Sequence, residues 1–205
     1  MEFDLSHLAA IAAALGWASG LRLYAVLFLV GLAGHFAWIP LPPGLGLLAS
    51  PVVLAATGLM FVVEFFADKV PGLDTAWDAV HTVIRVPAGA ALAASAVGGD
   101  DAAWTLIAAL MGGTLAATSH VAKATTRAAI NASPEPFSNV GLSLLGDVVV
   151  PGMVWLAWEQ PVWFFGVLGV VLLGMVAVIV VLFRFLRARL RRLWSRAARG
   201  EAAQG

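Results

Sequence analysis

Cysteine is absent from all 205 residues, so neither a disulfide nor a thiolate metal site can contribute to this fold. Charge is nearly as scarce: 12% of residues are Asp, Glu, Lys or Arg, against 61% hydrophobic, with a mean hydropathy of +0.92. A soluble globular domain carries about 25% charged residues, so this composition points to a membrane protein. The opening residues, MEFDLSHL, lack the basic stretch and cleavage site of a secretory signal. The first hydrophobic segment is therefore expected to stay in the mature chain.

Six segments approach the roughly 20 apolar residues that a transmembrane helix needs: 8–34, 51–68, 74–97, 103–124, 139–158 and 162–183. The expected architecture is an all-α membrane protein, a six-span transmembrane helical bundle over residues 1–183, followed by a basic cytoplasmic tail at 184–205. Prolines 40, 42 and 43 close the first span, and Pro51 suits the first turn of the second. Pro71-Gly72 breaks the chain ahead of the third span, which Asp74 or Thr75 is expected to cap. Pro87 separates an amphipathic half of that span from a small apolar half and predicts a kink or a break there. Gly98-Gly99-Asp100-Asp101 reads as a turn and residues 131–138 as a loop. The fourth span, rich in Ala, Gly, Ser and Thr, is expected in the bundle interior. The sixth is nearly all aliphatic as far as Arg184 and reads as lipid-facing.

The formal net charge is zero, yet Arg184, Arg187, Arg189, Arg191, Arg192, Arg196 and Arg199 crowd the C-terminal tail. By the positive-inside rule that tail lies in the cytoplasm, and six spans place the N-terminus there too. Trp38, Trp104, Trp158 and Trp163 then form an outer aromatic belt. A basic helix beside a membrane is expected to bind anionic lipid rather than nucleic acid. The two halves admit a 3+3 inverted repeat: Leu15-Gly16 parallels Met111-Gly112, and Val70-Pro71-Gly72 echoes Val150-Pro151-Gly152. The sequence leaves that repeat open.

Polarity inside the spans is concentrated between Glu64 and Arg85. Asp74, Asp78, His81 and Arg85 fall at helical spacing on one stripe, and Glu64 and Asp68 share a face. His120, Lys123, Arg127 and Asn131 form a second stripe. Arg22 and Asp147 each lie near mid-span. An ionisable residue there costs about 2.5 to 3.5 kcal/mol on insertion scales, so it is normally paired or functional. The acids Glu64, Asp68, Asp74, Asp78 and Asp147 match in number the bases Arg22, Lys69, Arg85, Lys123 and Arg127, so a closed ion-pair network would neutralise them. Lys69, Lys123 and Arg127 also read simply as cytoplasmic anchors that snorkel to headgroups. His81 and His120 serve either as proton-relay groups or as histidines satisfied by a neighbouring carboxylate.

With these residues in view, the chain resembles the domain-of-unknown-function 4126 family of bacterial membrane proteins. The likeness runs from Leu8 to about Leu156. It rests on the stretch from Gly16 to Arg22, on Glu64-x-x-x-Asp68-Lys69-x-Pro71, on Asp74-x-x-x-Asp78-x-x-His81-x-x-x-Arg85-x-Pro87, on His120-x-x-Lys123, and on Asn139-x-x-x-Ser143-x-x-x-Asp147. The family often carries a second carboxylate beside the one at Asp147, where this chain has Gly146. The resemblance implies a bacterial inner membrane and supplies no activity.

Three functions fit these residues. The first is a small proton- or cation-coupled transporter of a small ion or solute. Its site would draw on Arg22, Glu64, Asp68, Asp74, Asp78, His81, Arg85, His120, Lys123, Asn139, Ser143 and Asp147. The second is a non-catalytic scaffold held by the ion pairs. The third is a Mg²⁺-dependent enzyme on lipid-linked phosphate, with Asp74 and Asp78 as the acid pair; the second Asp-rich motif of such enzymes is missing. The transporter ranks first, and no cofactor is expected. The bilayer is the expected partner, and a homo-oligomer is compatible with the chain.

Overall fold

A computed structural model describes residues 3–99, 101–131 and 137–201, the side chains of 186 and 188–201 excepted. Asp100, the loop residues 132–136 and the side chains of Arg189, Arg191, Arg192, Arg196 and Arg199 thus lie outside the described residues. The described chain is all helical: α1 (Leu5–His35), a 3-10 helix (Pro43–Ala49), α2 (Pro51–Ala67), α3 (Leu73–Val97), α4 (Ala102–Asn131), α5 (Phe137–Glu159) and α6 (Pro161–Glu201). Five of these helices are long and apolar enough to cross a membrane. A sixth crossing results if the 3-10 helix and α2, bent by 69° to each other, count as one span. The 17 residues of α2 reach only about 26 Å at 1.5 Å per residue, short of a hydrocarbon layer of about 30 Å.

The most enclosed helix is α1, whereas α4, expected in the bundle interior, is only partly buried. Of the most apolar window of α1, 72% is buried, against 33% for α4. Both helices are rich in small residues, but α1 uses them on several sides, packing against α2, α3, α4 and α5. At the α1–α4 crossing a Cβ on Gly16 would lie 2.5 Å from the Cα of Gly112. Two turns after Gly112, Ser119 Oγ donates to the carbonyl of Trp17 across the same interface, at 2.7 Å. Without hydrophobic drive in lipid, such backbone approach and interhelical hydrogen bonding hold the helices together.

Several local expectations need correction. Through Pro87 the backbone of α3 stays helical, with no break; the non-helical residue lies instead within α1, at Arg22 (φ −146°, ψ 71°). The residue ahead of α3 is Gly72, whose φ of 87° requires glycine. Asp74 is already inside the helix and ties the turn from there, accepting from Gly72 N at 2.9 Å and Thr75 N at 2.6 Å. Val70-Pro71-Gly72 is a turn, whereas Val150-Pro151-Gly152 is helical within α5. Trp158 is buried, its indole donating to the Pro40 carbonyl at 3.0 Å, so it anchors the proline-rich loop. Trp38, Trp104 and Trp163 are exposed. The halves are packed unequally: α5 rests on α1, but α2 makes no such contact with α4 among the described residues.

Among the candidate spans α6 is the least buried, which fits the lipid-facing helix expected there. Its apolar window has a mean hydropathy of 3.0 and is 6% buried. It continues as one helix into the basic tail.

The α1–α4 crossing yields a paired expectation. Gly16→Leu drives a side chain into Gly112 and costs at least about 1 to 3 kcal/mol, whereas Gly166→Leu, where nothing lies within 4 Å, leaves stability unchanged. Melting temperatures of the two variants in the same detergent check this; equal values would contradict the packing.

Candidate functional site

At Arg22 the backbone of α1 leaves the helix, which frees polar groups on both sides of the break. On the C-terminal side, the amides of Tyr24 and Ala25 donate to Glu64 Oε2 at 3.1 and 3.3 Å. On the N-terminal side, the Leu21 carbonyl accepts from Lys123 Nζ at 2.9 Å. Each end of the break thus holds the charge that its half-helix dipole favours, an anion at amides and a cation at a carbonyl.

The same break sends the Arg22 side chain to two carboxylates on different helices. Nη1 lies 2.6 Å from Asp68 Oδ2, close but poorly directed for a hydrogen bond. Nη2 lies 2.9 Å from Asp147 Oδ1 and also donates to the carbonyl and hydroxyl of Ser143, at 2.7 and 2.9 Å. From Asp68 the contacts pass to Lys123 at 3.0 Å and to Arg127 at 3.1 Å. Lys123 and Arg127 both reach Asp78, at 3.1 and 3.5 Å, and Arg127 reaches Asp74 at 3.3 Å. Asp78 pairs with Arg85 at 2.6 Å, and Arg85 with Glu64 at 3.1 Å. At the opposite end Lys69 holds Asp147 at 2.9 Å and lies over the Phe65 ring.

The five acids and five bases counted in the sequence therefore form one connected, formally neutral network. Every Lys and Arg before residue 184 belongs to it. Desolvating a single ion costs several kcal/mol, which only good pairing offsets. Burial is graded: the Arg85 and Glu64 side chains are fully enclosed, while Asp147 and Lys69 retain 17% and 18% exposure.

Both histidines lie beside the network. His81 Nδ1 must donate to the Trp77 carbonyl, 2.8 Å away, and its Nε2 lies 3.2 Å from the Tyr24 hydroxyl. His120 Nδ1 faces Arg85 Nη1 at 3.2 Å; arginine only donates, so the His120 proton sits on Nε2 and points to Thr82 Oγ1 at 2.8 Å. Neither ring is satisfied by a carboxylate.

Of the residues singled out from sequence, Arg22, Glu64, Asp68, Asp74, Asp78, Arg85, Lys123 and Asp147 join the network, Ser143 supports Arg22, and His81 and His120 flank it. Asp147 does not bond to the α3 stripe; it joins through Arg22 and Lys69. Asn139 is buried on α5, and its side-chain amide has no hydrogen-bond partner among the described residues. Arg127, Lys123 and Lys69 do not snorkel: Arg127 is buried against three aspartates, and the two lysines point inward. Asn131, on the same stripe, donates to Asp74 at 3.2 Å. Thr82 and Tyr24 were not singled out, and only their helical spacing from Asp78 and Gly20 marks them.

Asp74 and Asp78 share Arg127, so the acid pair faces a cation of the chain itself. Among the described residues no group of three or more His, Asp or Glu is placed to hold a metal ion. A cavity of about 290 Å³ opens beside the network, between α1, α4, α5 and α6.

The profile of a domain of unknown function, DUF4126, matches residues 9–182; the chain belongs to that family. Curated proteins and solved structures give no match.

The burial gradient sets an order of stability effects. Glu64→Gln removes one of the two carboxylates on Arg85 and leaves an unbalanced positive charge in the enclosed end, and breaking a buried pair from one side costs about 3 to 5 kcal/mol. Asp147→Asn, at the exposed rim, costs less. Adding Arg85→Met to Glu64→Gln recovers part of the loss. Chemical denaturation of the purified variants measures all three, and equal losses for Glu64→Gln and Asp147→Asn would contradict the gradient.

Proposed function

We propose that this member of the domain-of-unknown-function 4126 family is a small proton-coupled permease, with the ion-pair network at the interrupted helix α1 as its site. The observation that carries the reading is the break at Arg22. Irregular backbone at membrane depth is tolerated where it is buried in protein or lines a cavity. Transporters use such interrupted helices to aim amides at anionic groups and carbonyls at cations. Here Glu64 and Lys123 occupy those two positions.

In this reading Asp147 is the proton acceptor, because it is the network carboxylate with the most exposed side chain. Protonation removes its charge and loosens its hold on Arg22 and Lys69. Arg22 then falls back on Asp68, already 2.6 Å away. That gives the cycle two arrangements of one side chain, differing by one proton. Asp68, Asp74, Asp78, Arg85 and Lys123 fix the geometry, and Glu64 holds the second half of α1. A proton suits the site better than a metal cation, since every network carboxylate already faces a base. His120 is not the acceptor in this reading, because its Nδ1 faces Arg85 at 3.2 Å.

The reading places the protein in a bacterial inner membrane, with both termini cytoplasmic and the tail from Arg184 on anionic lipid. An inverted repeat is not needed for it: the Gly16–Gly112 crossing favours equivalence of α1 and α4, and the unequal packing of α2 and α5 weighs against it. A second reading, a scaffold without transport, has its own support in the closed balance of five acids and five bases.

Proteoliposomes carrying an imposed pH gradient separate the two. Wild-type protein, offered a panel of small ions and solutes, is expected to show gradient-driven flux that Asp147→Asn abolishes while its melting temperature stays near wild type. Absence of flux across the panel, together with stability lost in Asp147→Asn and restored by adding Lys69→Gln, would establish the scaffold instead.

A further inference from the structure

The network is neutral as a whole but not evenly arranged. Three of its bases, Arg22, Lys123 and Arg127, line the 290 Å³ cavity, and none of its five acids does. Four of the carboxylates belong to α2, its C-cap and α3, which do not line the cavity, and the fifth, Asp147, follows the lining residue Gly146 on α5. Opposite the bases the cavity wall is hydrocarbon: Leu142 and Val149 on α5, Val171 and Met175 on α6. Gly146 leaves the cationic end open, since a Cβ built there would stand only 3.5 Å from Arg22 Nε. Cationic side chains at one end and aliphatic side chains along the rest match a molecule that is itself divided in this way.

From this division we infer that the cavity binds a single-chain amphiphile with an anionic headgroup, carboxylate or phosphate. The headgroup lies against Arg22, Lys123 and Arg127, and the alkyl chain lies between α5 and α6. This inference rests on the permease reading and names its substrate class. A cation is disfavoured because its charge would face three bases with no carboxylate in the lining. A fully polar anion would leave the apolar wall without a partner.

Charge balance then links binding to a proton. The resident pairs already cancel, so an added anion leaves the site one charge negative unless a carboxylate is neutralised. Asp147 is the carboxylate placed for this. It is faced by Arg22 from α1 and by Lys69 from the turn after α2, while Lys123 and Arg127 of α4 line the cavity beside it. The cavity residues of α6, Val171, Gly174, Met175 and Val178, carry no charge. One proton taken up with each monovalent anion keeps the site neutral, and one amphiphile with one proton is the unit carried.

The test uses the full chain in phosphatidylcholine nanodiscs. Intrinsic tryptophan fluorescence, to which Trp17 in the cavity lining contributes, is followed on titration with laurate, with dodecyl phosphate and with dodecyltrimethylammonium. Saturable binding of laurate, of dodecyl phosphate or of both, without binding of the cation, is expected, and which anion binds assigns the headgroup. Affinity for laurate should weaken by about tenfold per pH unit where one proton is taken up. In Asp147→Asn, which carries the compensating charge permanently, binding should persist and lose that pH dependence. Gly174→Phe fills the cavity from α6, where nothing lies within 4 Å of the glycine; it should abolish binding and leave the melting temperature unchanged. Equal binding of the cation, or undiminished binding by Gly174→Phe, overturns the inference. The two proposals fail separately. Laurate binding without gradient-driven flux retains the cavity and removes the permease. Gradient-driven flux of another solute without laurate binding does the reverse.

Discussion

The guanidinium of Arg22, placed between Asp68 and Asp147, is the contact on which the rest of the polar interior depends. Through it alone the rim pair of Asp147 and Lys69 joins the eight charges deeper in the bundle, among the described residues. Arg22 serves the two carboxylates through the two separate terminal nitrogens of its planar fork. The position has a backbone cost as well. Leaving the helix at residue 22 frees amides and a carbonyl inside the protein, and Glu64 and Lys123 satisfy them. The break and the network therefore require each other: without ions the break is unsatisfied, and without the break Glu64 loses the amides that bind it.

Much of this was legible in the sequence, and the remainder was hidden for physical reasons. Helical spacing placed Asp74, Asp78, His81 and Arg85 on one face, and equal numbers of acids and bases anticipated closure. The inward course of Arg127 was obscured by helix length. The apolar stretch of the fourth span ends near residue 124, but α4 continues to Asn131, so what reads as a headgroup anchor is still one stripe of a packed helix. The break at Arg22 carries no proline, and its neighbours Leu21 and Leu23 are good helix formers; only tertiary contacts select it. Pro87 gave the opposite signal and no break. It removes one amide from the ladder, and α3 is held on either side of it, by Arg85 to α2 and α4 and by Gly89 and Ala93 against α1 and α4. Composition also could not rank α1 against α4, since both are rich in small residues and burial depends on how many faces are used.

Polarity within a neutral cluster is a separate property from its sum. Ten charges cancel here, yet three of the five bases line the cavity and none of the acids does, an asymmetry that no count of residues reveals. Low dielectric magnifies such an arrangement. It also makes a net charge in the site expensive, which is the physical ground for the proposed coupling of an entering anion to a proton on a carboxylate. Gly146 matters for the same reason. A carboxylate there would point at Arg22 and supply internally the negative charge that the open cavity leaves to a ligand.

The outer wall of the cavity is the element with least to lose by moving. Among the described residues α6 contributes no member to the ion-pair network, and its apolar window is 6% buried. Displacing it exchanges contacts with α4 and α5 for contacts with lipid of similar polarity, a small change in a solvent that is itself hydrocarbon. Opening the site from the α1 side would instead separate Arg22 from two carboxylates and expose half-helix ends. Access from the lipid, between α5 and α6, is thus the less costly route, and it is the route that an amphiphile already dissolved in the membrane would take.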